Sequence, residues 1–309
     1  MRGWWQDLTD LVLPAECGGC GTPRTVLCDG CRAALNGAVP RRVRPVPEPP
    51  GLPAVYAAAP YADEVRAALL AHKERGALAL AGALGAALAG AVRAGLQEGL
   101  RDGSAGLRDG RTARIVASWS GTAGGAGASG PVLLVPVPSA PWAVRARGHD
   151  PVRRIALAAA AELRRAGASA RVVPVLRQRR AVADQSGLNA RQRFANLAGA
   201  LEMTAGGARL LAGGRVVLVD DLVTTGATLV EAARAVREFA GAEGAGEATT
   251  TVYRRAAWEG REERKTGPAE ERAKWARNTP GMAEVNGLAG PVRAAVVAAA
   301  PDSFETNRN

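Results

Sequence analysis

The stretch VVLVDDLVTTGATL, residues 216–229, decides how this sequence is interpreted. Its consecutive apolar residues are typical of a strand buried on both faces of a parallel sheet. Two adjacent acids, Asp220 and Asp221, follow at once. Parallel sheets bind their ligands at the carboxyl ends of their strands. We therefore predict that both carboxylates lie in a ligand site, and they are our candidate catalytic residues.

The loop after the acid pair is rich in small and hydroxyl-bearing residues and opens onto a predicted helix, 227–239. Small residues allow backbone N–H groups to close around an anion, and a helix N-terminus adds partial positive charge. Carboxylates would repel an anion, so they must meet hydroxyls or a divalent cation instead. A ribose 5-phosphate satisfies both halves of the stretch, because its diol can bind the acids while its phosphate occupies the loop. The predicted phosphate-binding residues are Val223, Thr224, Thr225, Gly226, Ala227 and Thr228.

Three alternative interpretations of this stretch fit less well. A nucleotide-hydrolysing phosphate loop requires G-x-x-x-x-G-K-[ST], and no lysine lies near. A dinucleotide-binding strand would lead into closely spaced glycines, but only Gly226 is present. An acid pair that merely caps a helix leaves the run of small and hydroxyl residues unexplained.

The cysteines form two C-x-x-C pairs close to the N-terminus. Each pair can make a tight turn that points two sulfurs at one ion, which predicts a tetrahedral four-thiolate zinc site. Such a site has no open coordination position, so we expect a structural role. Two disulfides or a redox pair are the alternatives, and disulfides fit poorly with a chain that shows no export signal. The predicted ligands are Cys17, Cys20, Cys28 and Cys31.

Alternating strand and helix patterns follow the cysteines and predict an α/β fold with a parallel sheet. The predicted strands are 54–61, 131–138, 170–178, 215–221 and 292–300, and the segment 139–150 is interpreted as a basic loop. Predicted helices include 77–96 and 151–166. The predicted organisation is a zinc-binding segment at 1–38, a Pro-rich linker at 39–53, an α/β domain at 54–302 with disordered insertions at 101–130 and 241–290, and a tail at 303–309.

The chain of 309 residues carries a formal net charge of +11, nearly all of it from arginine. Two explanations account for the arginine excess equally well. One is a GC-rich coding sequence, and the other is affinity for polyanions such as nucleic acid or phosphorylated ligands. We expect no membrane span, because the Ala/Leu-rich run at 77–92 is shorter than the ~20 apolar residues that cross a bilayer. The acids Asp7 and Asp10 interrupt any signal peptide. A cytoplasmic protein is therefore the expectation.

Several motifs resemble those of a known family. The apolar strand, acid pair and T-T-G-x-T loop resemble the signature of type I phosphoribosyltransferases, which bind phosphoribosyl pyrophosphate (PRPP). More narrowly, the chain is similar to the ComF family, which is linked to competence and DNA uptake. That family has an N-terminal four-cysteine finger, a P-V-P strand followed by an R-G-F-N-Q turn, and a Q-x-x-L…R…N stretch. The matching residues here are the four cysteines, PVPS at 136–139, RGHD at 147–150, and Gln185, Leu188, Arg191, Arg193 and Asn196, with His149 and Asp150 departing from the family's turn.

The resemblance implies roles for further residues. Asp220 and Asp221 would bind the ribose hydroxyls, and magnesium would accompany PRPP. The leaving pyrophosphate would need cations. Arginines near the site could supply them, or they could be ordinary surface arginines of an Arg-rich chain. Lys73 matches a lysine typical of the family. Candidates for the pyrophosphate and PRPP are Ser139, Arg145, Arg147 and Lys73, and candidates for a flap over the site are Gln185, Arg191 and Arg193.

Two functions remain open at this point. The first is a PRPP-dependent phosphoribosyltransferase with an unidentified acceptor. The second is a module that uses the same fold to bind single-stranded DNA, favoured by the basic charge and the resemblance to ComF. Sparse aromatics, 4% of the chain, weaken the second, because sequence-tolerant binding usually stacks bases on rings.

Overall fold

The fold is described from a computed structural model of the full chain, over residues 16–104, 130–182, 189–243 and 290–307. Most of the insertions predicted at 101–130 and 241–290 lies outside these ranges, as does Gln185 of the predicted flap.

A six-stranded sheet forms the centre of the described structure. Its strands are parallel to their neighbours except the first, which runs antiparallel along one edge. A separate antiparallel hairpin supplies two more strands. In chain order the strands are Arg41–Val43 (β1), Val55–Pro60 (β2), Val132–Pro136 (β3), Ala170–Val172 (β4), Leu176–Gln178 (β5), Leu201–Met203 (β6), Arg215–Val223 (β7) and Arg293–Ala299 (β8), and the spatial order of the large sheet is β1-β2-β8-β7-β3-β4.

Helices cover both faces of this sheet, which gives the predicted α/β architecture. The helices are Asp29–Asn36 (α1), Asp63–Glu74 (α2), Ala81–Ser104 (α3), Pro141–Arg147 (α4), Pro151–Arg165 (α5), Ala190–Leu197 (α6), Gly207–Leu211 (α7) and Ala227–Glu243 (α8), with 3-10 turns at Leu78–Leu80 and Pro301–Asn307. Two core clusters divide between the faces: α1, α2, α3 and α5 contribute to one, and α8 with the β5–β6 hairpin to the other. Successive residues of β7 alternate between them, Val217 in the first and Leu218 in the second.

Small residues allow α3 and α5 to pack closely in the first core. A Cβ on Gly85 would lie 2.4 Å from the Ala158 Cβ, so only glycine permits this approach. The Ala- and Gly-rich composition of α3 is therefore a packing feature. Within the described residues, the segment Leu78–Gly99 is long and apolar enough to cross a membrane by length and composition alone, and half of it is buried inside the structure.

Three segments differ from the predicted elements. The predicted strand 170–178 is split into β4 and β5, which belong to different sheets, because Pro174 has no N–H to continue the ladder. The segment predicted as a basic loop contains α4, which has Pro141 in its first turn and ends at Gly148 in the left-handed conformation at φ 74°. The helix predicted at 77–96 begins four residues later and continues to Ser104.

The chain outside the predicted α/β domain also packs on it. Cys17, Cys31 and Leu35 of the cysteine segment are buried in the first core cluster. The Pro-rich segment 39–53 contains β1 and continues along α8, where Arg237 donates to the Gly51 carbonyl at 3.1 Å. Phe304 of the tail packs against the second core cluster.

Candidate active site

The acid pair lies at the topological switch point of the sheet, where the strand order reverses. Strands β3 and β7 are neighbours, and the chain leaves them toward opposite edges, to β4 and to β8. Val137 N–H donates to the Val219 carbonyl at 2.9 Å, which aligns the carboxyl ends of the two strands. Open α/β sheets bind ligands in this crevice. Asp220 and Asp221 follow Val219 directly, so they stand at its mouth.

Lys73 is ion-paired with the second acid. Its Nζ donates to Asp221 Oδ2 at 2.9 Å, with the Asp221 side chain 9% exposed and that of Lys73 35% exposed. Burial opposes ionisation of Asp221, but the Lys73 ammonium outweighs it and lowers the pKa of this carboxyl. Reciprocally, the charge of Asp221 raises the pKa of Lys73. Asp221 and Lys73 are therefore both charged at neutral pH.

Asp220 has the opposite electrostatic environment. Burial and the charge of Asp221 together raise its pKa well above the ordinary value, and Lys73 offsets this only in part. Asp220 Oδ1 accepts the Asp221 backbone N–H at 2.8 Å. Functional sites commonly contain a carboxyl group whose ionisation is disfavoured by burial and by a neighbouring carboxylate.

The loop that follows bends sharply into α8. Gly226 has φ 76°, and a Cβ there would lie 2.9 Å from Leu52 Cδ1 and 3.4 Å from Pro49 Cγ. Glycine is therefore required both by backbone conformation and by the wall that the Pro-rich segment places behind the loop. Thr224 is exposed, whereas Thr225 and Thr228 are half-buried.

Backbone amides of this loop and helix are available to an anion. Ala227 N–H reaches Thr225 Oγ1 only at 3.5 Å. The first amides of any α-helix have no intrahelical acceptor, so the start of α8 presents donors beside the acid pair. Val223 is the last residue of β7, and its side chain is buried in the core, so it can contribute only through its backbone.

An arginine of the predicted flap contacts the loop. Arg193 on α6 donates from Nη1 to Thr224 Oγ1 at 3.1 Å. Its Nε is buried and has no hydrogen-bond partner among the described residues. Helix α6 is fixed by a capping box, in which Asn189 and Gln192 each accept the other's backbone N–H. Arg191, two residues before Arg193, is exposed.

The loop after β3 contains the other predicted anion ligands. Ser139 Oγ donates to Asp150 Oδ1 at 3.4 Å, and Asp150 also caps α5 by accepting the Arg153 N–H. Arg147 makes a bidentate pair with Glu74, at 3.1 Å from Nε and 2.9 Å from Nη2. Arg145 is exposed.

A comparison with known families bears on this geometry. The family model described as phosphoribosyl transferase domain matches residues 161–277. This chain contains a phosphoribosyltransferase domain. The match includes β7, the acid pair and its loop, and the mostly parallel sheet flanked by helices confirms the predicted α/β fold. No curated protein sequence matches the chain.

Contacts that the sequence did not reveal join separate segments of the α/β domain near the acids. The chain's two histidines, His72 and His149, have ring centroids 5.8 Å apart in an edge-on contact. His149 Nε2 lies 3.3 Å from the His72 carbonyl oxygen, and burial lowers the pKa of His72. No catalytic role was predicted for either residue. With the Glu74–Arg147 pair, they join the end of α2 to the loop after β3. The only sequence signal for this contact was that the chain contains just two histidines.

A buried ion pair fastens the small lobe, defined as β5, β6, α6 and α7, to α8. Glu231 accepts the Leu201 N–H at 3.0 Å and pairs with Arg234, which also donates to the Leu201 carbonyl at 2.8 Å. Although Glu231 is buried, Arg234 and the Leu201 N–H lower the pKa of its carboxyl. This clamp sets the position of α6, and therefore of Arg193, relative to the loop at the start of α8.

The four cysteines form a cluster that could bind zinc. Their sulfurs all lie within 4.8 Å of one another. Four thiolates at ~2.3 Å from one zinc ion are separated by about 3.8 Å in a tetrahedron, and Cys20 and Cys28 are separated by 3.6 Å. The Cys28 N–H donates to Cys17 Sγ at 3.3 Å. Although burial opposes ionisation of Cys17, backbone N–H groups lower the pKa of its thiol to about 6, as suits a thiolate ligand.

Proposed function

We propose that the protein is a PRPP-dependent phosphoribosyltransferase of the ComF type with an unidentified acceptor. The observation that carries the proposal is the acid pair near the carboxyl end of β7, two residues before a loop that opens onto the N-terminus of α8. A sugar phosphate is the ligand that uses both parts of this arrangement, because its diol accepts and donates hydrogen bonds while its ester is anionic.

In this proposal the two acids bind the 2- and 3-hydroxyls of the ribose. Asp221, charged and held by Lys73, is a fixed hydrogen-bond acceptor. Asp220 ionises less readily, so a ligand that brings positive charge or hydroxyl donors relieves its unfavourable environment. The ribose therefore binds a site that is electrostatically unsatisfied without it.

The 5-phosphate occupies the loop from Thr224 to Thr228 and receives the amides at the start of α8. Arg193 already contacts Thr224, and its unpartnered Nε offers a further donor toward an anion there. Arg191 lies on the same helix and is exposed, so it can approach from the solvent side.

The pyrophosphate of PRPP faces the loop after β3. Ser139 and Arg145 are its candidate ligands, whereas Arg147 is committed to Glu74 and orients the loop. Magnesium, which prefers oxygen ligands such as those of phosphates, would accompany PRPP and would neutralise charge on the leaving group. The protein's own contribution is to hold ribose, ester and pyrophosphate in place while the C1–O bond breaks and the acceptor attacks.

The cysteine cluster is proposed as a structural zinc site. Zinc is expected because all ligands are thiols that can close a tetrahedron, and no position remains for a substrate. A cytoplasmic location and a role in competence-associated DNA uptake complete the ComF-like proposal, and both rest on the resemblance of the motifs.

Calorimetric titration of PRPP into the zinc-loaded full chain, with and without magnesium, tests the proposal. We expect magnesium-dependent binding that is abolished in the double variant Asp220→Asn, Asp221→Asn. Glu202→Gln, which neutralises a partly exposed carboxylate paired with Arg177 on the small lobe, is the matched control and should bind normally. Absence of PRPP binding to the native chain would refute the proposed function.

A second candidate is binding of single-stranded DNA beside the same crevice. Trp142 on α4 is 53% exposed, and Arg145 lies one turn further along the helix, so a base could stack on the indole while the guanidinium contacts a phosphate. A gel shift with an oligonucleotide at about 50 mM salt, where phosphate contacts are strongest, tests it. Loss of the shift in Trp142→Ala, but not with added PRPP, would support a separate DNA-binding function. No shift at all would exclude it.

A further inference from the structure

A second cavity lies at the β1 edge of the sheet, far from the edge formed by β3 and β4. It has a volume of about 380 Å³ and sits at the outer edge of β1, between the second half of α3 and the C-terminal turn. β1 is the edge strand, separated from β7 by β2 and β8, so this cavity is distinct from the acid-pair crevice. Its lining is Val39, Pro40, Arg41, Arg42, Arg44, Tyr56, Ala94, Gln97, Glu98, Ser303 and Phe304.

Three arginines from four consecutive positions surround the cavity: Arg41, Arg42 and Arg44. Neither Arg41 nor Arg42 forms an ion pair with a carboxylate in the described ranges, and Arg44 approaches Glu48 only at 3.8 Å. The Arg41 guanidinium is positioned over the Phe304 ring, 4.9 Å from its centroid. The cations are therefore concentrated on one concave surface, and one of them is held by an aromatic ring.

A fourth guanidinium reaches the same region from β8. A Cβ on Gly99 would overlap the Arg293 guanidinium, so the absence of a side chain at Gly99 allows that group to pass beside α3. Arg42 and Arg293 both act electrostatically on Tyr56, which lines the cavity. Burial and the neighbouring Glu98 raise the pKa of Tyr56 to about 12, so its hydroxyl remains a hydrogen-bond donor at neutral pH.

Protection of an edge strand is the simplest alternative explanation for the arginines, because charges prevent edge-to-edge pairing. That explanation accounts for the charge of β1 but not for a concave site, nor for a guanidinium brought in from β8 on the other side of β2. Excess positive charge facing a cavity favours an anion, and guanidinium groups match the oxygens of a phosphate in pairs.

We propose that this edge cavity binds a small phosphorylated organic molecule, of which a nucleoside monophosphate is the representative class. The arginines contact the phosphate, while Tyr56, Gln97 and the Arg41–Phe304 pair provide hydrogen bonds and a flat surface for the remainder. The volume lies at the lower end of the ~300–1,000 Å³ that small-molecule sites occupy, which suits a mononucleotide better than a nucleic-acid strand.

The test titrates AMP, GMP and inorganic phosphate into the zinc-loaded full chain and three variants. The first variant is Arg41→Gln, Arg42→Gln. The second is Asp220→Asn, Asp221→Asn, which removes the acid pair. The third, Arg66→Gln, Arg209→Gln, is the matched control, because it removes the same charge from two exposed arginines on α2 and α7.

We expect a nucleoside monophosphate to bind the native chain, the acid-pair variant and the matched control with similar affinity. Binding should weaken by roughly tenfold for each edge arginine removed, the effect of losing one charge-assisted hydrogen bond. PRPP binding should show the reverse dependence, so failure of this site and failure of the proposed transferase site are distinguishable. Three results would overturn the proposal: no nucleotide binding to the native chain, equal loss in the matched control, or binding of inorganic phosphate but of no mononucleotide.

Discussion

Replacement of Lys73 by methionine tests the electrostatic arrangement of the acid pair most directly. Methionine keeps much of the length of the side chain but leaves the Asp221 carboxylate buried without its cation. Removing one partner of a fully buried ion pair costs about 3–5 kcal/mol, whereas an exposed pair is worth about 0–1 kcal/mol. Asp221 is 9% and Lys73 35% exposed, so this pair falls between the two cases.

We therefore expect Lys73→Met to lower the free energy of unfolding by about 2 kcal/mol. At about 2–4 °C per kcal/mol for a domain of this size, Tm should fall by roughly 4–8 °C. Urea unfolding measures the free energy, and a double-mutant cycle with Asp221→Asn isolates the pair, because the neutral amide no longer needs the cation. Arg66→Met, an exposed cation on the same helix, is the control and should change stability by less than about 0.5 kcal/mol.

The pH dependence of the same variant has a defined sign. The folded-state pKa of Asp221 is lowered, so the stability it contributes is present above its unfolded value, about 4, and is lost as the pH falls through the folded value. The folded-state pKa of Lys73 is raised, so its contribution is present below about 10.4 and is lost at higher pH. The difference between native chain and variant should be largest between these limits. A coupling energy below about 0.5 kcal/mol, or an equal loss at pH 3 and pH 7, would refute the reasoning.

Three further predictions concern the remaining parts of the domain. Asp220→Asn should stabilise the ligand-free protein by about 0.5–2 kcal/mol in urea unfolding. Because burial raises the pKa of Asp220, this gain in stability should grow as the pH rises through the folded-state pKa of Asp220. No gain at pH 8 would contradict the raised pKa of Asp220. Removal of the proposed zinc by a chelator, or Cys20→Ser, should lower Tm. Cobalt substitution should give thiolate charge-transfer absorption in the native chain. An unchanged Tm after treatment with the chelator would exclude a structural metal. Glu231→Gln should lower the free energy of unfolding by about 1–3 kcal/mol, because it leaves Arg234 without its buried partner. Glu238→Gln, at the exposed side of the same arginine, should lower it by under about 1 kcal/mol. Equal losses in the two variants would disprove the clamp.

The parts of the site that are contiguous in the chain could be predicted from the sequence. The acid pair and its loop form one strand–turn–helix unit, whose geometry depends on local preferences: apolar residues for a central strand, Gly226 for the positive φ, and a helix immediately after. The four cysteines were predictable for the same reason, since the spacing of ligand pairs is itself local.

The contacts that polarise the site could not be predicted, because they join distant segments. Lys73 and Asp221 are 148 residues apart, and Leu52 reaches the loop at Gly226 from a segment interpreted as a linker. Nothing in the pattern of α2 shows which neighbour its last turn will meet. The separation of β5 from β4 depended on Pro174, whose effect is visible only when the ladder it interrupts is known.

The last turn of α2 explains how these separate contacts form one site. Three consecutive residues there face three different partners: His72 contacts His149, Lys73 binds Asp221, and Glu74 binds Arg147. At the other end of the helix, a Cβ on Gly19 of the cysteine segment would lie 3.3 Å from the Cβ of Glu64. A helix of 12 residues is about 18 Å long and stiff. The cysteine segment can therefore influence the proposed ribose pocket without touching it, because a displacement of the start of α2 is transmitted to Lys73 at its other end.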